Sequence, residues 1–280
     1  LNAYLDGIRP AQRIHVRGSG AWADDSHRTT WLLQVDETAL CLALAPELYP
    51  RMHTAWTRQL LATETAVWQA LDQHLFDPYF DASVVADTVA ALPDGARLFA
   101  GNSLPVRHLD QWARPSTRHL LAYANRGASG IDGNVSTALG IGAASSSRAP
   151  LVALLGDITF YHDLNGLLAV RGAAIRNPKS EMGNLTIVLL NNNGGGIFRR
   201  LPVQNIEPPF TDLFVTPHGL DFSGVIGMYG LAHERPQSRA AFQAALAASL
   251  ANDVPTVIEV RTDGEQDEAR RREVGRMVTG

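Results

Sequence analysis

The chain has 280 residues, a formal net charge of −4 and 19% charged residues. No run of three basic residues precedes Arg270-Arg271-Arg272, which argues against nucleic-acid binding. The single cysteine, Cys41, excludes an internal disulfide framework and any two-cysteine metal site. No apolar run reaches the length of a membrane span, and the N-terminus lacks the basic-then-apolar pattern of a signal peptide. The expectation is a soluble, cytoplasmic α/β protein. Because the chain opens on Leu1 in mid-pattern, a fragment or a processed chain is expected.

In chain order, residues 1–45 hold three short extended pieces, at 14–17, 31–36 and 40–44, with charged turn material at 23–28. They read as the end of an α/β unit. Trp56, Leu60, Leu61, Val67, Trp68 and Leu71 recur at helical spacing and predict a helix over 51–75. Residues 76–80, with Pro78, break it and read as a linker. The division expected is therefore 1–75, a linker at 76–80, and a second domain over 81–280. In that domain an amphipathic helix (82–92) precedes a strand (97–100), a short helix (106–112) and a strand (119–124). A small-residue helix (136–145) follows. After two central strands come a proline-rich loop at 199–215, helices at 222–230 and 237–251, a strand at 256–261 and a charged tail. Strands alternating with helices predict a doubly wound parallel sheet covered on both faces.

The central strands carry the chemistry. Five apolar residues at 151–155 stop at Gly156-Asp157, which reads as a buried parallel strand. A helix is expected to start at 163–170. A second strand, 185–190, ends in Asn191-Asn192-Asn193-Gly194-Gly195-Gly196-Ile197-Phe198. Either ending alone is an ordinary turn or N-cap. Together they put Asp157 and an asparagine of the triplet at neighbouring strand ends, on the sheet edge where such folds bind ligands. Carboxylate, amide and carbonyl oxygens are hard ligands, suited to Mg²⁺ holding a diphosphate.

These two endings together resemble the thiamine diphosphate-binding motif of the thiamine diphosphate enzyme superfamily. Four stretches narrow the likeness: Gly101-Asn102-Ser103-Leu104-Pro105-Val106-Arg107, the turn at 125–133 (Asn125-Arg126-Gly127 to Gly133), 156–166 and 191–198. They resemble the 2-succinyl-5-enolpyruvyl-6-hydroxy-3-cyclohexene-1-carboxylate synthases of menaquinone and phylloquinone biosynthesis. The likeness is good over 95–265 and loose over the first 80 residues.

That resemblance implies the thiamine diphosphate-binding fold, preceded by the C-terminal part of a central α/β domain. It implies thiamine diphosphate and Mg²⁺ (or Mn²⁺) as cofactors. Asp157, the Asn192 side chain and the Gly194 carbonyl would hold the metal. Asn102, Gly156, Ile158, Ile197 and Phe198 would complete the cofactor site. Isochorismate and 2-oxoglutarate, both dicarboxylates, would be the substrates. Arg107 and Arg126 would grip carboxylates bidentately, with Asn102, Ser103, Ile131, Phe198 and Leu201 around them. Ser103, Arg107 and Arg126 would be the catalytic residues. The reaction implied joins decarboxylated 2-oxoglutarate, a succinyl carbanion, to isochorismate with release of CO₂.

The family also implies a homodimer or tetramer. An N-terminal aminopyrimidine-binding domain with a catalytic glutamate would act in cis or from a second subunit. Neither Glu181 nor Glu207 has the context to replace that glutamate, so the chain alone is expected to be inactive. Asp157 and Asn192 lie further apart than is usual, which predicts an insertion at 171–184 on the surface. His162 reads as a structural residue at a helix start. The alternatives are an acetolactate synthase or 2-oxoacid decarboxylase, which would not need two carboxylate-gripping arginines, and a non-catalytic cofactor-binding fragment.

Overall fold

The computed structural model describes residues 2–49, 52–145, 149–171 and 184–279. The chain divides into two compact units, 1–63 and 64–280. The division falls inside the long helix α3.

The first unit holds α1 (Asn2–Gly7), the parallel pair β1 (Ile14–Arg17) and β2 (Trp31–Gln34), and α2 (Glu37–Leu44). The piece expected to be extended at 40–44 is therefore helical. Asp36 caps α2, its side chain accepting the Ala39 N–H, and the leucines and alanines that follow are good helix formers. The charged turn is organised by Asp24. Its carboxylate accepts from the Ser26 hydroxyl and from the N–H groups of Ser26, Arg28 and Thr29. Those bonds, the Ser26 hydroxyl foremost, hold its carboxyl well below the usual range.

α3 (Ala55–His74) ends in the second unit, where Leu71 and Leu75 are buried with Phe80, Trp112 and Val274. There α4 (Asp81–Ala91), β3 (Arg97–Ala100), α5 (Leu104–Trp112), β4 (Leu121–Tyr123) and α6 (Asn134–Ala144) lead to β5 (Leu151–Gly156). β6 (Leu185–Asn191), β7 (Ala232–Glu234) and β8 (Thr256–Arg261) complete a six-stranded sheet of order β4-β3-β5-β6-β8-β7. Every pairing is parallel. β7, a three-residue edge strand, carries too short a pattern to be foreseen.

Period-two alternation explains why β5 reads as an unbroken apolar run. Leu151, Ala153 and Leu155 face a core with α6, Phe160, Phe222 and Ile226. Val152 and Leu154 face the opposite core with Val84, Val85, Val89, Phe242 and Leu246. Both faces of the sheet are thus covered, as a doubly wound fold requires.

The helix expected over 163–170 does begin there, as a 3-10 turn at Leu164–Leu167 that continues helically to residue 171, and a separate short helix precedes it. α7 (Asp157–His162) starts directly at the strand end, with Gly156 at its N-cap. An acidic residue at a helix start is electrostatically favoured there. His162 is consequently the last residue of α7, and it is exposed. The tail folds as a helix over Gly264–Thr279. The proline-rich loop is a chain of short helical turns, at Gly196–Arg200, Pro202–Asn205 and Thr211–Val215. The insertion at 171–184, apart from its two end residues, lies outside the described residues, as does Glu181. Glu207 accepts the Thr211 hydroxyl and N–H and remains exposed.

Candidate functional site

Strand order reverses between β3 and β5, so the crevice beyond their C-terminal ends is where this architecture opens. A cleft of about 160 Å³ lies there. Pairing of Gly156 with Leu190 puts the ends of β5 and β6 side by side. Nine of the predicted site residues line the cleft: Ser103, Ile131, Gly156, Asp157, Ile158, Asn192, Gly194, Ile197 and Phe198. Asn102, Arg107, Arg126 and Leu201 are not among its lining.

Asp157 is 2% exposed. Its Oδ2 accepts from the Gly194 N–H (2.9 Å) and pairs with His218 Nε2 (3.1 Å); its Oδ1 accepts from the Ile158 N–H (2.7 Å). Burial pushes the carboxyl up from its ordinary value, against hydrogen bonds from His218, Gly194 and Ile158 that favour the ionised form.

The three asparagines do three different things. Asn191 donates to the buried Glu259 (2.7 Å) and accepts the Asn193 N–H (3.1 Å). Asn193 takes a left-handed backbone (φ 62°) and accepts the Gly219 N–H (2.8 Å). Asn192 leaves its Oδ1 buried and without a hydrogen-bond partner among the described residues. An orphaned buried oxygen costs about 1–3 kcal/mol, so an amide oxygen held this way calls for an electropositive ligand.

The glycines beside it are fixed by backbone approach. At Gly194 (φ 140°) a Cβ would run into the Val215 carbonyl, and at Gly195 into that of Phe214. Gly195 N–H also donates to Val215 (2.7 Å), and the Gly194 carbonyl accepts the Gly196 N–H (2.9 Å). Asp157, Asn192 Oδ1 and the Gly194 carbonyl are a hard donor set that fits a small divalent cation. No group of three or more His, Cys, Asp or Glu suited to a metal occurs among the described residues. A cation here would therefore rest on one carboxylate and neutral oxygens, which suits a metal that takes its remaining charge from phosphate.

Asn102, 2% exposed, braces two turns. Its amide donates to the Gly130 carbonyl (2.6 Å), its oxygen accepts from Arg126 Nη1 (3.2 Å), and its N–H points at Asn134 Oδ1 (3.4 Å). Asn102 and Arg126 are thus brought together as each other's partners. Ser103, the N-cap of α5, has φ 73°, a conformation rare outside glycine; such strain costs of order 1–3 kcal/mol and concentrates at functional sites. Arg107 is exposed and folds back to donate to the Ser103 carbonyl (2.6 Å). Phe198 is edge-on to Phe214 with ring centroids 5.6 Å apart, and Leu201 is 47% exposed.

Sequence reasoning missed His218, Glu259 and Asn134. No spacing rule joins His218 to a carboxylate 61 residues away; the Pro217-His218-Gly219 turn is the only local hint. Also missed was a buried cluster in which Asp81 pairs with His108 Nε2 (2.8 Å) and its N–H donates to Asp267 (3.3 Å). Burial, with Asp81 nearby, pushes the Asp267 carboxyl up to about 8.

Known proteins resemble this chain in sequence and in fold. The family described as thiamine pyrophosphate enzyme, C-terminal TPP binding domain, matches residues 106–260. A 2-succinyl-5-enolpyruvyl-6-hydroxy-3-cyclohexene-1-carboxylate synthase of Roseiflexus castenholzii is 54% identical over 272 residues, covering 97% of this chain and 45% of that protein. The protein of that name from Geobacillus thermodenitrificans is 40% identical, covering 94% of this chain and 43% of its own length. The chain therefore spans less than half the length of these curated relatives. A solved structure from Mycobacterium smegmatis shares the fold, with a TM-score of 0.50 and 23% identity. It covers 66% of this chain and 32% of that one. With the family match spanning more than half its residues, the chain belongs to the thiamine pyrophosphate enzymes and carries their C-terminal TPP-binding domain.

Proposed function

We propose that the cleft beyond β5 and β6 holds the diphosphate of thiamine diphosphate through Mg²⁺ or Mn²⁺, with Asp157, Asn192 and the Gly194 carbonyl as protein ligands. The orphaned, buried Asn192 Oδ1 beside the Asp157 carboxylate carries this reading. Gly156 and Ile158 back the diphosphate, and Ile197 and Phe198 offer apolar contact to the cofactor's ring. When bound, the cofactor supplies carbanion-stabilising chemistry, and the protein binds, orients and excludes water.

By its likeness to the curated synthases, the whole protein joins a decarboxylated 2-oxoglutarate unit to isochorismate in menaquinone biosynthesis, in the cytoplasm and as a homo-oligomer. Arg107 and Arg126 grip the substrate carboxylates. Both are exposed, and each spends one of its five donors on a local carbonyl or amide oxygen. Ser103, Asn102, Ile131, Phe198 and Leu201 flank them. An aminopyrimidine-binding domain, in cis or from a second subunit, completes the site.

The test is a substrate comparison in the presence of that domain, thiamine diphosphate and Mg²⁺. Consumption of isochorismate that depends on 2-oxoglutarate supports the proposal. Turnover of pyruvate without isochorismate would move the protein to the acetolactate synthase or decarboxylase type.

A further inference from the structure

We propose that His218 is the positioning residue of the cation site: it fixes the Asp157 carboxylate so that Oδ1 stays open, and it pins the 215–220 segment against the asparagine–glycine turn. This rests on the reading of Asp157 as a cation ligand.

The argument starts from acceptor capacity. Each carboxylate oxygen accepts about two hydrogen bonds. Oδ2 of Asp157 already takes two, from Gly194 N–H and His218 Nε2, whereas Oδ1 takes only the Ile158 N–H. Coordination therefore falls to Oδ1. The role of His218 as donor is set by its other nitrogen. Nδ1 accepts the Leu220 N–H (2.9 Å), so it carries no proton, and the neutral ring bears its proton on Nε2, facing Asp157. Hydrogen-bonded partners of ligating groups orient them in this way.

Packing holds the imidazole in place. Its ring lies 5.8 Å from that of Phe222, which is edge-on to Phe160 of α7 at 5.5 Å, and α7 is the helix that begins at Asp157. The same segment reaches the rest of the donor set. Val215 accepts the Gly195 N–H, and Gly219 donates to Asn193. Left-handed residues on either side, Thr216 (φ 47°) and Gly219 (φ 59°), turn the chain so that all three contacts are made at once.

The test titrates the 280-residue chain with Mn²⁺ in the presence of thiamine diphosphate, reading bound metal by electron paramagnetic resonance. Four proteins are compared: wild type, Asp157→Ala, His218→Phe and His218→Gln. Phenylalanine keeps the ring against Phe222 but has no donor; glutamine restores an N–H at similar reach. The expected result is no specific Mn²⁺ binding in Asp157→Ala and affinity lowered roughly 10- to 100-fold in His218→Phe. His218→Gln should recover most of it. Metal-free unfolding midpoints would stay close to wild type, which separates positioning from general support of the fold. If Asp157→Ala fails to bind while His218→Phe binds as tightly as wild type, or more tightly, the inference is wrong and the cation site stands. If Asp157→Ala binds like wild type, the cation reading itself falls. Should His218→Phe not fold, His218→Gln against the shorter His218→Asn decides: equal affinity in those two overturns the proposal.

Discussion

Two parts of the cleft are built in opposite ways. The turn after β6 is braced on every side. Asn191 is anchored on Glu259, Asn193 on Gly219, Gly195 on Val215 and Gly194 on Asp157. Glu259 itself takes donors from Arg261, Arg235 and His233. Burial alone would raise its carboxyl, but those arginines and Asn191 hold it below its ordinary value. The arginine side is loose by contrast. Arg107 and Arg126 are exposed, each with one long-side-chain contact to its own neighbourhood. The difference teaches that the turn bearing Asn192 and Gly194 is preorganised in the fold, whereas the exposed arginines are free to take their final geometry with a ligand in place.

If the braced turn is preorganised, the largest effect comes from forcing it open. Gly194→Ala must relieve a clash with the Val215 carbonyl and tolerate φ 140°. It should cost of order 1–3 kcal/mol of unfolding free energy and abolish cation-dependent thiamine diphosphate binding. Chemical denaturation and calorimetry measure the two effects. Unchanged binding would mean that the turn adapts and the contrast with the arginine side is false.

Asn192→Leu separates chemistry from packing. It removes an oxygen that is buried and unpaired, so metal-free stability should hold or rise slightly, because an unsatisfied buried group is itself destabilising. Mn²⁺ affinity should nevertheless fall at least about 10-fold, in the range seen when support of a metal site is lost. A drop in stability with affinity intact would make Asn192 a structural residue only.

On the loose side, Arg126→Lys keeps the charge but loses the planar fork. KM for the dicarboxylate substrates should rise roughly 10-fold, the equivalent of about 1.4 kcal/mol, while cofactor affinity stays put. A fall in cofactor affinity alone would place Arg126 in the preorganised half.

A pH effect concerns the buried acids behind the turn. Asp267 has its carboxyl raised from 3.8 to about 8. A raised acid contributes no penalty below its unfolded value; it destabilises progressively as pH climbs from about 4 to about 8, where the unfolded chain has released a proton that the folded chain retains. Asp267→Asn should therefore flatten the decline in stability across that window, measured by thermal unfolding at several pH values. An unchanged slope would assign the decline to other groups.

Much of this was legible in the chain itself. β5 and β6 could be located because a buried parallel strand is apolar on both faces, and Asp157 and Asn192 because each ends such a strand. Leu40 to Leu44 misled because a short apolar run suits strand or helix, and the Asp36 cap decided for helix. His218 and Glu259 stayed hidden for a different reason. Their partners, Asp157 and Asn191, lie 61 and 68 residues away; the β6–β8 pairing brings Glu259 to Asn191, and the loop after Val215 brings His218 to Asp157. Asn102 could be singled out in the sequence but not as a brace, because that role depends on where the 125–133 turn folds back.

The most direct measurement is calorimetric titration of the 280-residue chain with thiamine diphosphate, with Mg²⁺ and then with EDTA, in wild type and Asp157→Ala. Saturable binding that requires the cation and disappears in Asp157→Ala is the predicted result. Equal affinity in EDTA, or in Asp157→Ala, would contradict a cation site built on Asp157 and Asn192.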